Sequence, residues 1–482
     1  MTTKNVKRLL FGAMIILIFQ SCANDDETFE TLSESETTDD SLEDTEDENI
    51  DPADRVGEMS DETTQLVVDW NNLWLELDRY TEGMRPNATA RALAYINLAV
   101  YETAIYSMPE YTTNAVRLQS LEINEDRRAG TIDLNLALNR CYARVFEHFM
   151  FSVSINENAR INNLENRIEN TLSDNLTEEV IRNSRDWGNY VASRIINYSQ
   201  TDNEAEEQIL DPQPFFYEPP VGDGFWTYSD DAERAWFPYW GSARTFVISS
   251  EETSSVPPPI EYSEDTSSAY YAEMFEVYEI STIAAEETNE DLWISEFWSD
   301  DVEGLMMSPP GRQISIAVQL IQQFDLDYQS ALVLLLKLGF SLNDASVSTW
   351  ADKYEYMVMR PNVYIQEFID AGYQTNLYKF IFWPNPSFPG YPSGHSAFAS
   401  AAAGIFIDEF GDTVNFTDRS HEGRTEFLSA PREFTSFSEM AEENAFSRVP
   451  FGVHIRMDCT EGLRLGYEVS EAVNSLNLTS NL

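Results

Sequence analysis

Apolar residues recur at three- and four-residue intervals along most of the chain beyond Thr63, the spacing of helices with one buried face. The pattern predicts helices over 63–80 ("TTQLVVDWNNLWLELDRY"), 87–108, 131–151 and 178–199, and again over 270–287, 311–324, 328–359, 393–411 and 460–476. The 328–359 helix is expected to stop at Arg360-Pro361, because proline disfavours a helical residue before it. Between the two series, from Thr201 to Tyr262, the period vanishes and proline and aromatic residues take over ("DPQPFFYEPPVGDGFWTY", "WFPYWG", "SSVPPPIEY"). So long an aperiodic stretch reads as a functional loop or lid. No alternating pattern is long enough for a sheet. The expected fold is all-α: two halves resembling four-helix bundles, 63–262 and 263–482, with a long Pro/aromatic-rich loop closing the first.

The start of the chain reads differently. Lys4, Lys7 and Arg8 precede an apolar run from Leu9 to Phe19, too short to cross a bilayer comfortably, and then Ser21-Cys22. This reads as an export signal over 1–21. A small residue before Cys22 resembles the bacterial lipobox, which implies lipidation of Cys22 as the sole attachment to a membrane. The expected location is the cell envelope, at the outer membrane or cell surface, or a secreted state; the plainer reading is an ordinary cleaved signal. Residues 22–62 are acidic, Ser/Thr-rich and nearly free of large apolar groups, so they bury too little to offset ordering entropy and read as a disordered tether.

Composition narrows the partners. With 43% hydrophobic residues the remainder supports a large core, and a net charge of -53 without any Lys/Arg block excludes nucleic acid and anionic surfaces. Cys141 and Cys459 form one candidate disulfide, which the sequence leaves open, as it does a homo-oligomer.

Three short segments carry candidate chemistry. In "YPSGH", Pro392 and Ser393 favour a turn and helix cap, so free backbone N–H groups at Gly394 and His395 point outward, a geometry that attracts an oxyanion. In "KYEYMVMRP", Lys353 and Arg360 stand seven apart, which on a continuous helix puts both cations on one face. In "SRVPFGVHIRMD", His454 lies six after Arg448 and four before Asp458, which orients the ring if the helix begins at His454. Taken singly, these segments also fit a routine cap, solvated or paired cations and a hydrogen-bonded structural histidine. Together they supply what a tetrahedral oxyanion requires.

The three segments resemble the signature shared by vanadium-dependent haloperoxidases and type 2 phosphatidic acid phosphatases, K-x6-R-P, P-S-G-H and S-R-x5-H-x3-D, over roughly the C-terminal third. The resemblance implies a vanadate cofactor, with Lys353, Arg360 and Arg448 on its equatorial oxygens and hydrogen bonds from Ser393 and the Gly394 amide. It makes His454 the metal ligand and His395 the acid/base. In the haloperoxidase reading, Lys353 polarises bound peroxide, and hydrogen peroxide oxidises a halide, bromide or iodide, to hypohalous acid equivalents. In the phosphatase reading His454 is the nucleophile and His395 protonates the leaving alcohol. An inactive oxyanion-binding lipoprotein is the third reading.

Chain length, export and the helical N-terminal half favour the peroxidase. So does "EFWSDDVEGLMMSPPGRQ", which resembles a haloperoxidase stretch and implies Asp301 as the partner of Arg448. Trp350 and Phe388 fall where haloperoxidases place aromatic groups beside the halide path, and "GFWTYSDD" with "WFPYWG" resembles their entrance loop. His148 and His421 read as structural or surface residues.

Overall fold

Asp61 starts the first helix, α1 (Glu62–Asp78), by accepting hydrogen bonds from the backbone N–H groups of Thr63 and Thr64 at 2.8 and 3.2 Å. The computed structural model describes residues 59–480 apart from 82, 229–233, 286–288, 301 and 380–384. The signal over 1–21, Cys22 and most of the tether therefore lie outside the described residues. At its end the tether expectation is corrected: Met59 is buried, and order begins before residue 62.

After α1 come α2 (Asn87–Ala104), α3 (Leu134–Phe149), α4 (Ile155–Ser173), α5 (Glu178–Ser199) and α6 (Asn203–Leu210). The second series is α7 (Ala269–Ala284), α8 (Glu290–Phe297), α9 (Pro309–Gln323), α10 (Tyr328–Tyr356), α11 (Pro361–Phe368), α12 (Gly394–Phe410), α13 (Phe437–Phe446) and α14 (Arg456–Asn474). Two three-residue strands, β1 (Phe416–Asp418) and β2 (Arg432–Phe434), pair antiparallel with Phe416 opposite Phe434. The all-α expectation holds, with this ribbon as its only sheet among the described residues.

The helices α2, α3 and α5 pack on one another, and α10, α12, α13 and α14 form a second group; α2 lies against α10 and joins them into one core. By length and composition α10 is apolar enough to cross a membrane, but 89% of its most apolar window is buried inside this core. The alanine run of α12 is explained by α14: a Cβ on Gly462 or Gly466 would run into the carbonyl oxygens of Ser393 and Ala397. Small residues on both helices let the backbones approach and set the mouth of α12 against the start of α14.

Two sequence expectations shift. The helix over 328–359 ends at Tyr356, where Met357 adopts a left-handed conformation (φ 53°). Proline 361 does not end it; Pro361 opens α11, with Arg360 as its N-cap. Among the described residues, the segment 201–262 contains α6 and a 3-10 turn at Trp240–Ser242 and is otherwise a strap fixed to the core. Asp344 of α10 is fully buried and accepts the backbone N–H groups of Phe246, Val247 and Ile248 at 2.8, 2.8 and 3.1 Å. Further along, Asp352 takes the N–H of Ser255 at 2.6 Å and Glu461 that of Val256 at 2.9 Å.

Cys141 and Cys459 are both buried and free, so the candidate disulfide does not form.

Replacing Asp344 with alanine strands three backbone donors, each worth about 1–3 kcal/mol when left unsatisfied. Asp344→Ala is expected to lose about 3 kcal/mol or more of stability in urea unfolding; a loss under about 1 kcal/mol would show that the strap is held elsewhere.

Candidate functional site: an oxyanion pocket at the mouth of α12

The residues gathered by the fold line a cavity of about 370 Å³ whose wall includes Trp350, Arg360, Phe388, Gly394, His395, Arg448 and His454. Arg360 enters from the start of α11. Its Nε donates to the Phe388 carbonyl at 2.9 Å and Nη1 to the Val453 carbonyl at 2.9 Å. The seven-residue spacing to Lys353 thus brings the two cations together across a helix break, not along one helical face.

Lys353 itself does not line the cavity. Its ammonium donates to the carbonyls of Pro389, Gly390 and Pro392 at 3.0, 2.9 and 2.5 Å, behind the segment that leads into α12. Burial first, and then Arg360, pushes its pKa well down. Three carbonyl acceptors require three N–H donors, however, and a neutral amine has two. The geometry therefore holds Lys353 as the ammonium. Ser393 is likewise turned away from the cavity: its hydroxyl caps α12 by accepting from Ser396 N–H at 3.4 Å, and its own N–H donates to the Asp458 carbonyl at 2.9 Å. Gly394, by contrast, is exposed to the cavity, packed so that a Cβ would lie 3.2 Å from the Trp350 ring.

His454 precedes α14. The helix begins two residues later than expected, at Arg456, yet Asp458 still reaches the ring because it occupies the first turn and folds back over the cap. Nδ1 donates to Asp458 Oδ2 at 2.9 Å, and the Ile455 N–H donates to the same oxygen at 3.3 Å. This fixes the tautomer: Nε2 carries the lone pair, 3.1 Å from Arg360 Nη1. Burial pushes the Asp458 pKa up to about 7, while Lys353 and Arg360 pull it down.

His395 stands in the first turn of α12. Its Nε2 is 3.2 Å from the Ser299 carbonyl and 3.2 Å from Arg448 Nη1. The carbonyl accepts from an Nε2–H and the guanidinium donates to an Nε2 lone pair, so the ring meets one partner or the other according to its tautomer. Arg448 is held by Ser447 Oγ at 2.9 Å and by the carbonyls of Trp298 and Ser299, the latter at 3.5 Å. Asp301, expected beside Arg448, lies outside the described residues. Its neighbour Asp300 lines the cavity and pairs with Arg312.

Trp350 and Phe388 pack in the wall with ring centroids 5.1 Å apart and planes tilted by 44°, and the Arg360 guanidinium lies 4.8 Å from the Phe388 ring. Both residues expected beside the halide path line the cavity. His148 lies on α3 against Phe149 at 4.7 Å. His421 is not a surface residue but fully buried against Arg312. Sequence reasoning missed Arg85, Trp236 and Glu303, which also line the cavity. Trp236 belongs to the quoted "WFPYWG", so its aromatic setting was a usable signal; Arg85 and Glu303 carried none.

The residues present fit a tetrahedral oxyanion such as vanadate or phosphate. The inner wall offers two guanidinium groups, a helix N-terminus and two imidazoles, each with a lone pair for the central atom or a proton.

The fold is that of the vanadium-dependent haloperoxidases. Residues 333–479 match the family described as the VCPO second helical-bundle domain. Among solved structures, the chain is similar to one described as the first bacterial vanadium-dependent iodoperoxidase, with TM-score 0.73 and 24% identity, covering 89% of this chain and 100% of that one. It is also similar to a bacterial vanadium-dependent chloroperoxidase in its holo form (TM-score 0.60, 15% identity, 81% of this chain and 92% of that one). The apo form of such an enzyme gives TM-score 0.59 at 15% identity, over 81% and 94%. No curated protein matches the sequence.

Burial, and next the Arg448 charge, lowers the His395 pKa well below its usual value; burial, Arg360 and Lys353 do the same to His454. Both shifts favour the neutral ring in the free protein. On acidification the unfolded chain takes up these protons near pH 6.5 and the folded chain does not, so stability falls as pH drops below about 6.5. Ring-nitrogen NMR of the four histidines in the free protein is expected to show His395 and His454 still neutral at pH 6; protonation of either near 6.5 would contradict the burial.

Proposed function

We propose that this chain is a vanadate-dependent haloperoxidase that uses hydrogen peroxide to oxidise iodide or bromide to hypohalous acid equivalents. The observation that carries the reading is the convergence of Arg360, Arg448, His395 and His454 on one cavity wall faced by Trp350 and Phe388, within a haloperoxidase fold. The preference for the larger halides is supported by the likeness to an iodoperoxidase.

Arg360 and Arg448 would hold the cofactor's oxygens, with the Gly394 amide beside them, and His454 Nε2 would be its one protein ligand. When bound, vanadate supplies Lewis acidity toward peroxide without changing oxidation state. The net reaction, H2O2 + X− + H+ giving HOX + H2O, consumes a proton. His395 is placed to handle that proton, in the first turn of α12 with its Nε2 3.2 Å from both the Ser299 carbonyl and Arg448 Nη1. Asp458 keeps His454 Nδ1 protonated, which directs its lone pair to the cavity. The aromatic wall excludes water from the halide side, and the arginines, fixed by backbone carbonyls, need no rearrangement to receive an anion. Export and a lipid anchor at Cys22, supported by the basic start and the short apolar run before it, belong to the same proposal.

Metal-free protein reconstituted with vanadate tests the reading through halogenation of a phenolic dye with peroxide and each halide. Halide oxidation is expected only with vanadate, and hydrolysis of p-nitrophenyl phosphate by the metal-free protein without any halide oxidation would assign the phosphatase chemistry instead. His454→Ala is expected to lose more than about 100-fold in vanadate affinity, beyond the ~10–100-fold typical of an outer partner. His395→Ala is expected to retain binding and lose kcat by ~10²–10⁴. Equal retention in the two variants would overturn the assignment of roles.

A further inference from the structure

Helix α8 ends at Phe297, and a helix end leaves carbonyls without intrahelical partners. Here two buried guanidinium groups take them from different sides. Arg312, in the first turn of α9, donates through Nη2 to the Phe297 carbonyl. Arg448 donates to the next two carbonyls, those of Trp298 and Ser299. His395 Nε2 shares the Ser299 carbonyl. The C-terminal end of a helix favours cations, so both contacts act with the local field.

The turn that follows is held in an uncommon conformation. Asp300 has φ 47°, in the left-handed region. Its carboxylate is gripped by Arg312 Nε at 3.3 and 3.2 Å and by Nη2 at 2.8 Å. Arg312 is in turn fixed by Asp418 Oδ2, 3.2 Å from Nη1, and by His421 against Nη2. The Arg312 side chain is 0% exposed and that of Asp300 1%. Burying such a group is costly unless its partners are complete, and here each nitrogen of the Arg312 guanidinium has one.

We propose that Arg312 is a positioning residue for oxyanion binding: by gripping the Phe297 carbonyl and the Asp300 carboxylate it fixes the Trp298–Ser299 turn, whose carbonyls aim Arg448 and His395 into the cavity. Arg312 does not itself line that cavity. The inference rests on the oxyanion reading of the site, and it divides the site into two supports. Arg448 and His395 hang on the α8 turn; Arg360 and His454 hang on the backbone at Phe388 and Val453 and on Asp458. Loosening the turn therefore harms only the first pair.

Two substitutions separate this from alternatives. Lysine at 312 cannot span the carbonyl and both carboxylates at once. Asp300→Asn keeps the shape and removes the charge. If Asp300 acted only as a charge near the anion, its removal would tighten binding; as a grip for Arg312 its removal weakens it. The probes are inorganic phosphate and orthovanadate, titrated calorimetrically into the metal-free full chain, with circular dichroism and Tm as controls for folding.

Both variants are expected to bind each anion at least ~10-fold more weakly. The loss from Arg312→Lys is expected to disappear in an Arg448→Lys background and to persist in full in an Arg360→Lys background. Should Arg312→Lys fail to fold, Asp300→Asn carries the same cycle. Unchanged or tighter binding in the folded variants, or equal loss in both backgrounds, would overturn the proposal. Failure of the wild-type chain to bind either anion would overturn the reading of the site instead.

Discussion

Three cations buried side by side dictate the local structure. Lys353, Arg360 and Arg448 are 0, 2 and 0% exposed, and removing such charges from water costs several kcal/mol each unless polar groups replace the hydration shell. The protein answers largely with backbone carbonyls: Pro389, Gly390 and Pro392 around Lys353, Phe388 and Val453 around Arg360, Trp298 and Ser299 around Arg448. These carbonyls come from the segment before α12, the segment before α14 and the turn after α8. The irregular backbone there serves as a fixed solvent for the cations.

That fixed solvent explains the state of the histidines. A carbonyl shell stabilises each cation without cancelling its charge, so the field in the cavity remains positive. Burial and this field together lower the pKa of His395 and of His454 and so favour the uncharged rings. The free site consequently presents donors and lone pairs at once, the combination required by a guest with negative oxygens and an electrophilic centre. An anion entering the cavity opposes the field at His395 and favours proton uptake there.

Much of this was legible in the sequence. Long helices announced themselves through period, and Lys353, Arg360, Ser393, Gly394, His395, Arg448, His454 and Asp458 through motif spacing. What sequence missed has physical reasons. The eight-residue α6, "NEAEEQIL", buries only Ala205 and Gln208, too few for a period. The ribbon of β1 and β2 has three residues in each strand, too short for alternation to register. Arg312 follows "SPPG", a clear helix start, but an arginine in a first helical turn opposes the helix dipole and reads as solvated. Only tertiary structure brings it Asp300 and, from more than a hundred residues away, Asp418.

Lys353 shows where a motif and a geometry differ. The resemblance places it on the oxyanion, whereas the structure spends its three N–H groups on the carbonyls of 389, 390 and 392. An ammonium has no fourth proton, so any bond from Lys353 to an anion is exchanged for one of these, or shared with it. The exchange sets a charge-assisted bond to an anionic oxygen against a buried carbonyl left unpaired, which costs about 1–3 kcal/mol. It also frees a carbonyl in the segment that delivers Ser393 and Gly394 to the mouth of α12. A bond from Lys353 to an anion would thus connect the filling of the cavity to the backbone that forms its rim, a link no reading of the side chain as a simple ligand contains.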